Sequence, residues 1–242
     1  MGTCIGHEPC PKCRKDGNDR TGNNLARYAD GGAYCFSCGY TILPNGLATL
    51  GKEIQKDNHA ISLPGGVTQV LPERALAWLY KYSLTDHDIK LNNILWSEYH
   101  QRIIFPIIIN DTLEGWIGRA VDSNIIPKVY TRGKLHETNY ILGNLSSNKI
   151  ILVEDIISAI KVASTYEYSV SPLFGSHIST RKLLTLRRYY NNIIIWLDKD
   201  KEKESIKFAQ KARDFGIKAR SVITDKDPKE YSDSEILSFL TE

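Results

Sequence analysis

Apolar residues follow different patterns in the two parts of the chain. Residues 1–42 are rich in Gly and Cys and lack a helical period, and residues 43–70 mix Pro and Gly with polar residues, as flexible linkers do. From residue 71 onward the pattern becomes regular. Two segments within 72–91 have helical spacing, 102–109 is an apolar strand interrupted by Pro106, and 115–121 returns as a second strand after a turn.

The remainder of the chain alternates between short apolar runs and amphipathic segments. The runs predict strands at 149–153, 169–174, 192–197 and 219–223. The segments between and after them predict helices at 156–166, 180–189, 202–215 and 232–240. Strands that alternate with helices of this length form a parallel sheet covered on both faces. The pattern therefore predicts an α/β domain over 148–242, preceded by a smaller α+β subdomain over 71–147.

Composition adds limits on size and location. The chain has 242 residues, of which 42% are hydrophobic, and this suits a small module joined to one domain of ordinary size. The net charge of +3 is too small to indicate nucleic-acid binding by itself. Lys and Arg are concentrated in 181–220, where most of them are expected on solvated helix faces. With no secretory leader and no apolar run that could span a membrane, we expect a cytoplasmic protein without a membrane partner.

Four of the five cysteines form two C-x2-C pairs, which are Cys10 with Cys13 and Cys35 with Cys38. Each pair lets two thiolates reach one ion from a tight turn, and two pairs complete the tetrahedron that Zn²⁺ prefers. We therefore predict a structural zinc ion in a small β ribbon over 1–42. A set in which Cys4 and His7 replace the first pair is the alternative, and the doubled spacing favours the first set.

Acidic residues follow two of the predicted strands at the point where each strand ends. Glu154 comes directly after 149–153, and Asp198 and Asp200 come directly after 192–197. Ligands bind at the carboxyl ends of strands in such sheets, and clustered carboxylates repel one another unless a cation neutralises them. Oxygen ligands suit Mg²⁺ or Mn²⁺, which assist phosphoryl transfer. A lone Asp at such a position more often caps the next helix, but matched acids at two strand ends favour a metal site.

Strand-Glu-helix followed by strand-Asp-x-Asp resembles the TOPRIM fold of primases, topoisomerases and some nucleases. The order of ribbon, linker, subdomain and TOPRIM domain is similar to that of DNA primases of the phage and bacterial type, over nearly the whole chain. The motifs that carry the resemblance are H-E-P-C-P-K-C at 7–13, R-I-I-F-P-I at 102–107, G-W-I-G-R at 115–119, P-K-V-Y at 127–130, F-G-S at 174–176 and K-D-P-K-E at 226–230.

The resemblance implies four segments: a zinc ribbon (1–42), a linker (43–70), the N-terminal subdomain of an RNA-polymerase domain (71–147) and a TOPRIM domain (148–242). It implies a nucleotidyltransferase that makes short RNA primers from ribonucleoside triphosphates on single-stranded DNA. The setting would be replication of a phage or another mobile element, in the host cytoplasm. No helicase segment follows the TOPRIM pattern, so a separate replicative helicase is the expected partner.

The same resemblance assigns roles to the acids. Glu154 takes the place of the catalytic glutamate, and Asp198 and Asp200 take the places of the metal-binding aspartates. Asp227 takes that of a supporting carboxylate for the same Mg²⁺ or Mn²⁺. Relatives have E-G-E-x-D after the first TOPRIM strand, whereas this chain has E-D-I-I-S at 154–158, so Asp155 stands where Gly is usual. The loss of two acids leaves the number of catalytic metals open.

Three basic residues correspond to positions that hold nucleotide phosphates or template in the family. These are Arg119 and Lys128, together with Arg102, whose side chain would serve equally as a structural anchor. Two other classes of function stay open. A TOPRIM nuclease would use the same acids without needing the Arg119 and Lys128 motif. A non-catalytic zinc and TOPRIM DNA-binding module is favoured by the two missing acids and disfavoured by the three retained ones.

Overall fold

A computed structural model describes the chain except for residues 1, 2, 18, 20, 36, 39, 43, 45–47, 50–60, 176 and 242. It forms two compact units, Met1–Ala60 and Ile61–Glu242. Most of the predicted linker over 43–70, the Phe36 ring and Ser176 of the F-G-S motif lie outside the described residues. No helix in the described part of the chain combines the length and apolar character needed to cross a bilayer.

The first unit is a small antiparallel sheet with one short helix. Its elements are β1 (Cys4–Glu8), α1 (Pro11–Lys15), β2 (Leu25–Tyr28), β3 (Ala33–Cys35), β4 (Thr41–Ile42) and β5 (Ala48–Thr49), and the strands lie side by side in chain order. Among the described residues, its buried cluster consists of Leu25 and Ala33 with three cysteines, and Tyr40 and Ile42 pack against it partly buried. So small an apolar core indicates that the unit depends on its cysteine site for stability.

The second unit begins with another antiparallel sheet. Its elements are β6 (Val67–Thr68), α2 (Glu73–Tyr80), α3 (Asp86–Leu91), β7 (Leu95–Ser97), β8 (Arg102–Ile109), β9 (Thr112–Ala120) and β10 (Val129–Arg132), with strand order β10-β9-β8-β7-β6. Pro72 directly precedes α2, and a capping box between Thr85 and Asp88 starts α3. Pro106 is tolerated within β8 because β7 pairs only with residues 102–104.

Residues 61–70 pack against this sheet, which differs from the flexible linker expected there. Ile61, Leu63 and Val67 lie against the cluster of Leu95, Ile104 and Trp116. The Trp116 indole Nε1 also donates a hydrogen bond to the Ser62 carbonyl oxygen at 3.1 Å. These contacts make the segment a structural part of the second unit.

Gly115 shows why the G-W-I-G-R motif begins with glycine. A Cβ atom at this position would lie 2.2 Å from the carbonyl oxygen of Arg132 on the neighbouring strand. Backbone atoms cannot yield as a flexible side chain can, so the close approach of β10 to β9 requires glycine here.

The second half of this unit is the predicted parallel sheet. Its elements are β11 (Leu142–Gly143), β12 (Lys149–Val153), α4 (Ile156–Ala163), β13 (Ser169–Pro172), α5 (Thr180–Leu186), β14 (Asn192–Ile195), α6 (Glu202–Asp214), β15 (Lys218–Ser221) and α7 (Asp233–Thr241), with strand order β11-β13-β12-β14-β15. Only β11 runs antiparallel to its neighbour. One face of the sheet packs on α5 and α6, and the other on α4 and α7. The predicted fold class is confirmed.

Helix α4 joins the two halves of the second unit. All eight of its residues are buried. Ile156, Ile157 and Ile160 pack into the core beneath the antiparallel sheet, while Ala159 and Val162 pack on the parallel sheet. Since α4 follows β12 directly, this double burial also fixes the position of Glu154 and Asp155 between them.

The packing of α4 generates a stability prediction. Ile160→Ala should lower the free energy of unfolding by about 2–5 kcal/mol, because Ile160 is 2% exposed and its loss leaves a cavity between the two cores. All four tryptophans lie in this unit, so tryptophan fluorescence during urea denaturation monitors it alone. Ile206→Ala on α6 is the control, since Ile206 is 46% exposed. Equal losses in the two variants would contradict the role given to α4.

Candidate metal centres and active site

The four predicted zinc ligands meet at one point of the first unit. The Sγ atoms of Cys10 and Cys38 are 3.5 Å apart, and those of Cys13 and Cys35 are 3.6 Å apart. All four sulfur atoms lie within 4.8 Å of one another. Cys10 caps α1, whose first turn brings Cys13 back to the same side. Cys4 is exposed on β1, away from this set.

This geometry fits a structural zinc ion. Sulfur atoms placed about 2.3 Å from one ion at tetrahedral angles lie about 3.8 Å apart, close to the distances observed. Burial raises the pKa of the Cys10 and Cys38 thiols. A divalent cation bound between the sulfur atoms would favour their ionised form.

The acids predicted from the strand pattern lie where the parallel strands end, at the carboxyl-terminal edge of the sheet. β12 and β14 are direct neighbours in parallel register, with Lys149 opposite Asn192. Glu154 directly follows β12, and Asp198 lies just beyond the end of β14. Asp227 joins them, because its Oδ1 accepts a hydrogen bond from the backbone N–H of Lys199 at 3.2 Å. Asp200 is exposed and pairs with Lys201 at 3.7 Å.

A lysine lies among these carboxylates. The Lys229 Nζ is 2.7 Å from Asp155 Oδ2, 3.2 Å from Asp198 Oδ2 and 3.2 Å from Asp227 Oδ2. Burial alone would lower the pKa of Lys229, but the Asp155 carboxylate and its neighbours raise the pKa above the usual value. Lys229 is therefore a charged group of the site. The sequence analysis assigned a role to Asp227 alone within the K-D-P-K-E segment, and it did not identify Lys229 or Asp155 as members of the cluster.

Burial and mutual repulsion disfavour the charged forms of the two strand-end acids. Burial, with the nearby Asp155 and Asp227 carboxylates, raises the pKa of Asp198 to about 7 in spite of Lys229. Burial also raises the pKa of Glu154; Lys201 opposes this shift, and Asp155 and Asp200 add to it. A metal cation bound beside these groups would favour their charged forms.

Two buried oxygen atoms at this edge have no hydrogen-bond partner, namely Glu154 Oε2 and Asp198 Oδ1. Buried polar atoms are rarely left unpaired, so each is a ready ligand for a hard cation. Their chemistry fits Mg²⁺ or Mn²⁺. Among the described residues, however, only the four cysteines bring three or more ligand atoms within 4.8 Å of one another. The acids do not form a preassembled cage of three carboxylates.

The basic residues of the motifs are held separately. Arg102 is buried and donates from Nη1 to the Lys128 carbonyl oxygen at 3.3 Å. The Arg119 guanidinium lies over the Trp78 ring, 5.2 Å from its centroid. Arg119 pairs with Val129 across the sheet, so Lys128, one residue earlier and exposed, belongs to the opposite face. The structure does not bring Arg119 and Lys128 together.

A row of aromatic rings, which the sequence analysis did not identify, crosses the antiparallel sheet. Tyr99, His100, Trp116 and Tyr130 follow one another with centroid separations of 5.0, 6.2 and 5.4 Å. Tyr99 is 85% exposed and Tyr130 is 43% exposed, whereas Trp116 is buried. Tyr130 lies on β10, all of which is exposed, between the exposed Lys128 and Arg132. Exposed rings beside cationic side chains are the features used to bind single-stranded nucleic acid.

Solved structures with a similar fold were found for most of the chain. The zinc-binding and RNA-polymerase domains of Aquifex aeolicus primase match with a TM-score of 0.61 at 12% identity, over 90% of this chain and 75% of that one. A DnaG primase catalytic domain bound to single-stranded DNA matches with a TM-score of 0.55 at 18% identity, over 70% of this chain and 71% of that one. This chain has a primase fold.

A phage structure extends the likeness over the full length. The primase fragment of the bacteriophage T7 primase-helicase protein matches with a TM-score of 0.50 at 15% identity, over 99% of this chain and 98% of that one. The sequence matches no protein-family model and no curated protein. At these sequence identities the structural similarity establishes the fold, and the reaction depends on the residues of the site.

The cysteine geometry generates a test of the zinc site. The purified protein should contain about one zinc per chain, and Cys10→Ser should lose it, because a fourth thiolate is needed to close the tetrahedron. Elemental analysis measures the metal. Cys4→Ser is the matched control and should keep its zinc, since Cys4 is exposed and outside the cluster. Zinc retained in Cys10→Ser but lost in Cys4→Ser would support the alternative set with Cys4 and His7.

Proposed function

We propose that this protein is a DNA primase, which synthesises short RNA primers from ribonucleoside triphosphates on a single-stranded DNA template. One observation carries the proposal: Glu154 and Asp198 follow neighbouring parallel strands, and each has a buried oxygen without a partner. This acidic edge occurs in a primase fold that also has a four-cysteine site. The DnaG relative that was solved with single-stranded DNA supports the choice of template.

Glu154 and Asp198 would hold the catalytic cation, Mg²⁺ or Mn²⁺, through their unpaired oxygens. Asp200 and Asp227 would add negative charge near it from the two neighbouring loops, and Asp227 would do so without coordinating it, because both of its oxygens already have partners. When bound, such an ion neutralises triphosphate charge and assists attack by a ribose hydroxyl on the α-phosphorus. The fold fixes where the ion would sit, because Glu154 lies between β12 and α4, and Asp198 lies just beyond the end of β14.

The basic residues divide into two roles in this proposal. Arg102 is a structural anchor, since its buried guanidinium holds the backbone of Lys128 and thereby the start of β10. Lys128 is exposed and free to reach phosphate from the face that carries Tyr130. The Arg119 guanidinium stacks on Trp78 and is buried at Nε, so it would contact nucleotide only through its terminal nitrogens.

We place the protein in replication of a phage or another mobile element, in the cytoplasm of the host. The match to the T7 primase fragment supports this setting. Unwinding would come from a separate replicative helicase, which would expose the single-stranded template. The zinc ribbon would hold or read that template while the parallel-sheet half performs the chemistry.

A second candidate is a zinc and TOPRIM DNA-binding module without catalysis. Lys229 favours it, because its ammonium already pairs with three of the acids and lowers their need for a metal. A TOPRIM nuclease would use the same acids to cut DNA. A primer-synthesis assay separates the three, using labelled ATP or CTP, a panel of single-stranded templates, and Mg²⁺ or Mn²⁺. Primers, degraded template or bound but unaltered template are the respective products.

The acids should be required for synthesis. Glu154→Gln and Asp198→Asn keep the size of each side chain but remove a charged ligand, so primer yield should fall by about 100-fold or more, as it does when electrostatic stabilisation of a transition state is lost. Asp214→Asn on α6 is the control, because Asp214 is exposed at the far end of that helix. Full activity in either acid variant would show that the metal is held elsewhere.

The aromatic row should contribute to template binding. Tyr130→Ala should weaken binding to a labelled oligothymidylate by about tenfold, since stacking of one base on an aromatic ring is worth about 1–3 kcal/mol. Fluorescence anisotropy at low salt measures the affinity. Tyr189→Ala is the matched control, because Tyr189 is an exposed tyrosine, 71% accessible, that lies outside the aromatic row. Equal affinities of Tyr130→Ala and the control would exclude this face as the template surface.

A further inference from the structure

The contacts around Lys229 leave few oxygens of the acidic site uncommitted. The Lys229 ammonium forms ion pairs with the Oδ2 atoms of Asp155, Asp198 and Asp227. The second oxygen of Asp155 accepts the backbone N–H of Ser158 at 2.7 Å and starts α4. Oδ1 of Asp227 accepts the backbone N–H of Lys199 at 3.2 Å. Of these three aspartates, only Asp198 keeps a buried oxygen, Oδ1, without a hydrogen-bond partner among the described residues, and Glu154 Oε2 is a second such atom at this edge.

The backbone holds Lys229 in this position. Pro228 and Glu230 form a single 3-10 turn with Lys229, and a capping box closes it from Asp227. In that box the Glu230 carboxylate accepts the backbone N–H of Asp227 at 3.1 Å. The Lys229 side chain is only 13% exposed. Its placement therefore follows from the fold and does not depend on a mobile surface side chain finding a partner.

We infer that Lys229 is a built-in cation of the acidic site, which keeps Asp155 and Asp227 out of metal coordination and limits the site to one divalent cation, at Glu154 and Asp198. The inference deepens the proposed function. Lys229 is a positioning residue: it sets how many metals bind without touching the reacting atoms. A second divalent cation would need the oxygens that Lys229 holds and would be repelled by its charge.

The test counts bound Mn²⁺ in zinc-loaded protein, using the electron paramagnetic resonance signal of free Mn²⁺. Wild type should bind about one Mn²⁺ per chain at this edge, as the two unpaired oxygens imply. Lys229→Met and Lys229→Gln should bind a second Mn²⁺, or bind the first about tenfold more tightly, since a like charge is removed. Lys229→Arg should behave like wild type.

Thermal melting supplies a readout that is independent of activity. Without Mn²⁺, Lys229→Met should melt several degrees below wild type, because three carboxylates then repel one another, and Mn²⁺ should restore more of its stability than it adds to wild type. Lys203→Met is the matched control on the exposed side of α6 and should change neither readout. If Lys229→Met fails to fold, Lys229→Gln, which keeps hydrogen-bond donors, carries the same count.

Two results would overturn the inference. One is a wild type that binds two Mn²⁺ at this edge with Lys229 intact. The other is a Lys229→Met variant with wild-type stoichiometry, affinity and metal-free melting temperature. Failure of the proposed function is distinguishable, because it appears as a wild type that makes no primer whatever its Mn²⁺ count. A wild type that binds one Mn²⁺ without priming would leave the role of Lys229 in place.

Discussion

Burial of α4 between two hydrophobic cores is the constraint on which the second unit depends. The helix presents isoleucines to the antiparallel half and small residues to the parallel sheet, so neither half completes its core without it. Even its charged member, Lys161, is buried and paired with Asp233 of α7 at 2.5 Å. Breaking such a pair from one side leaves an uncompensated buried charge, which ties α7 to the same framework.

The packing of α4 also fixes the positions of the two acids that precede it. Glu154 and Asp155 are the two residues that connect β12 to α4, so the strand and the helix fix the backbone on both sides of them. One carboxylate oxygen of Asp155 accepts a hydrogen bond at the start of α4, and the other pairs with Lys229. Glu154 instead retains an unpaired buried oxygen. Adjacent acids therefore have opposite uses. Asp155 stabilises the fold. The unpaired oxygen of Glu154 costs free energy, which a bound cation would offset.

The first unit follows a different physical logic. Its apolar core is too small to offset the entropy of ordering its loops, and three cysteines belong to its small buried cluster. A zinc ion held by the four cysteines would thus take the place of a large hydrophobic core as the source of stability. The second unit instead has three extended apolar clusters around its two sheets.

The sequence alone determined the features that are encoded locally. The C-x2-C spacing predicted the cysteine cluster, and the alternation of strands and helices predicted the parallel sheet, because each is specified by residues close together in the chain. The positions of Glu154 and Asp198 were predictable for the same reason, since Glu154 directly follows β12 and Asp198 lies just beyond the end of β14. Lys229 was not, because it lies 74 residues from Asp155 and 31 from Asp198. Only tertiary folding brings their charges together, and only the pairing register separates Arg119 from Lys128, because a shift of one residue along a strand moves a side chain to the opposite face.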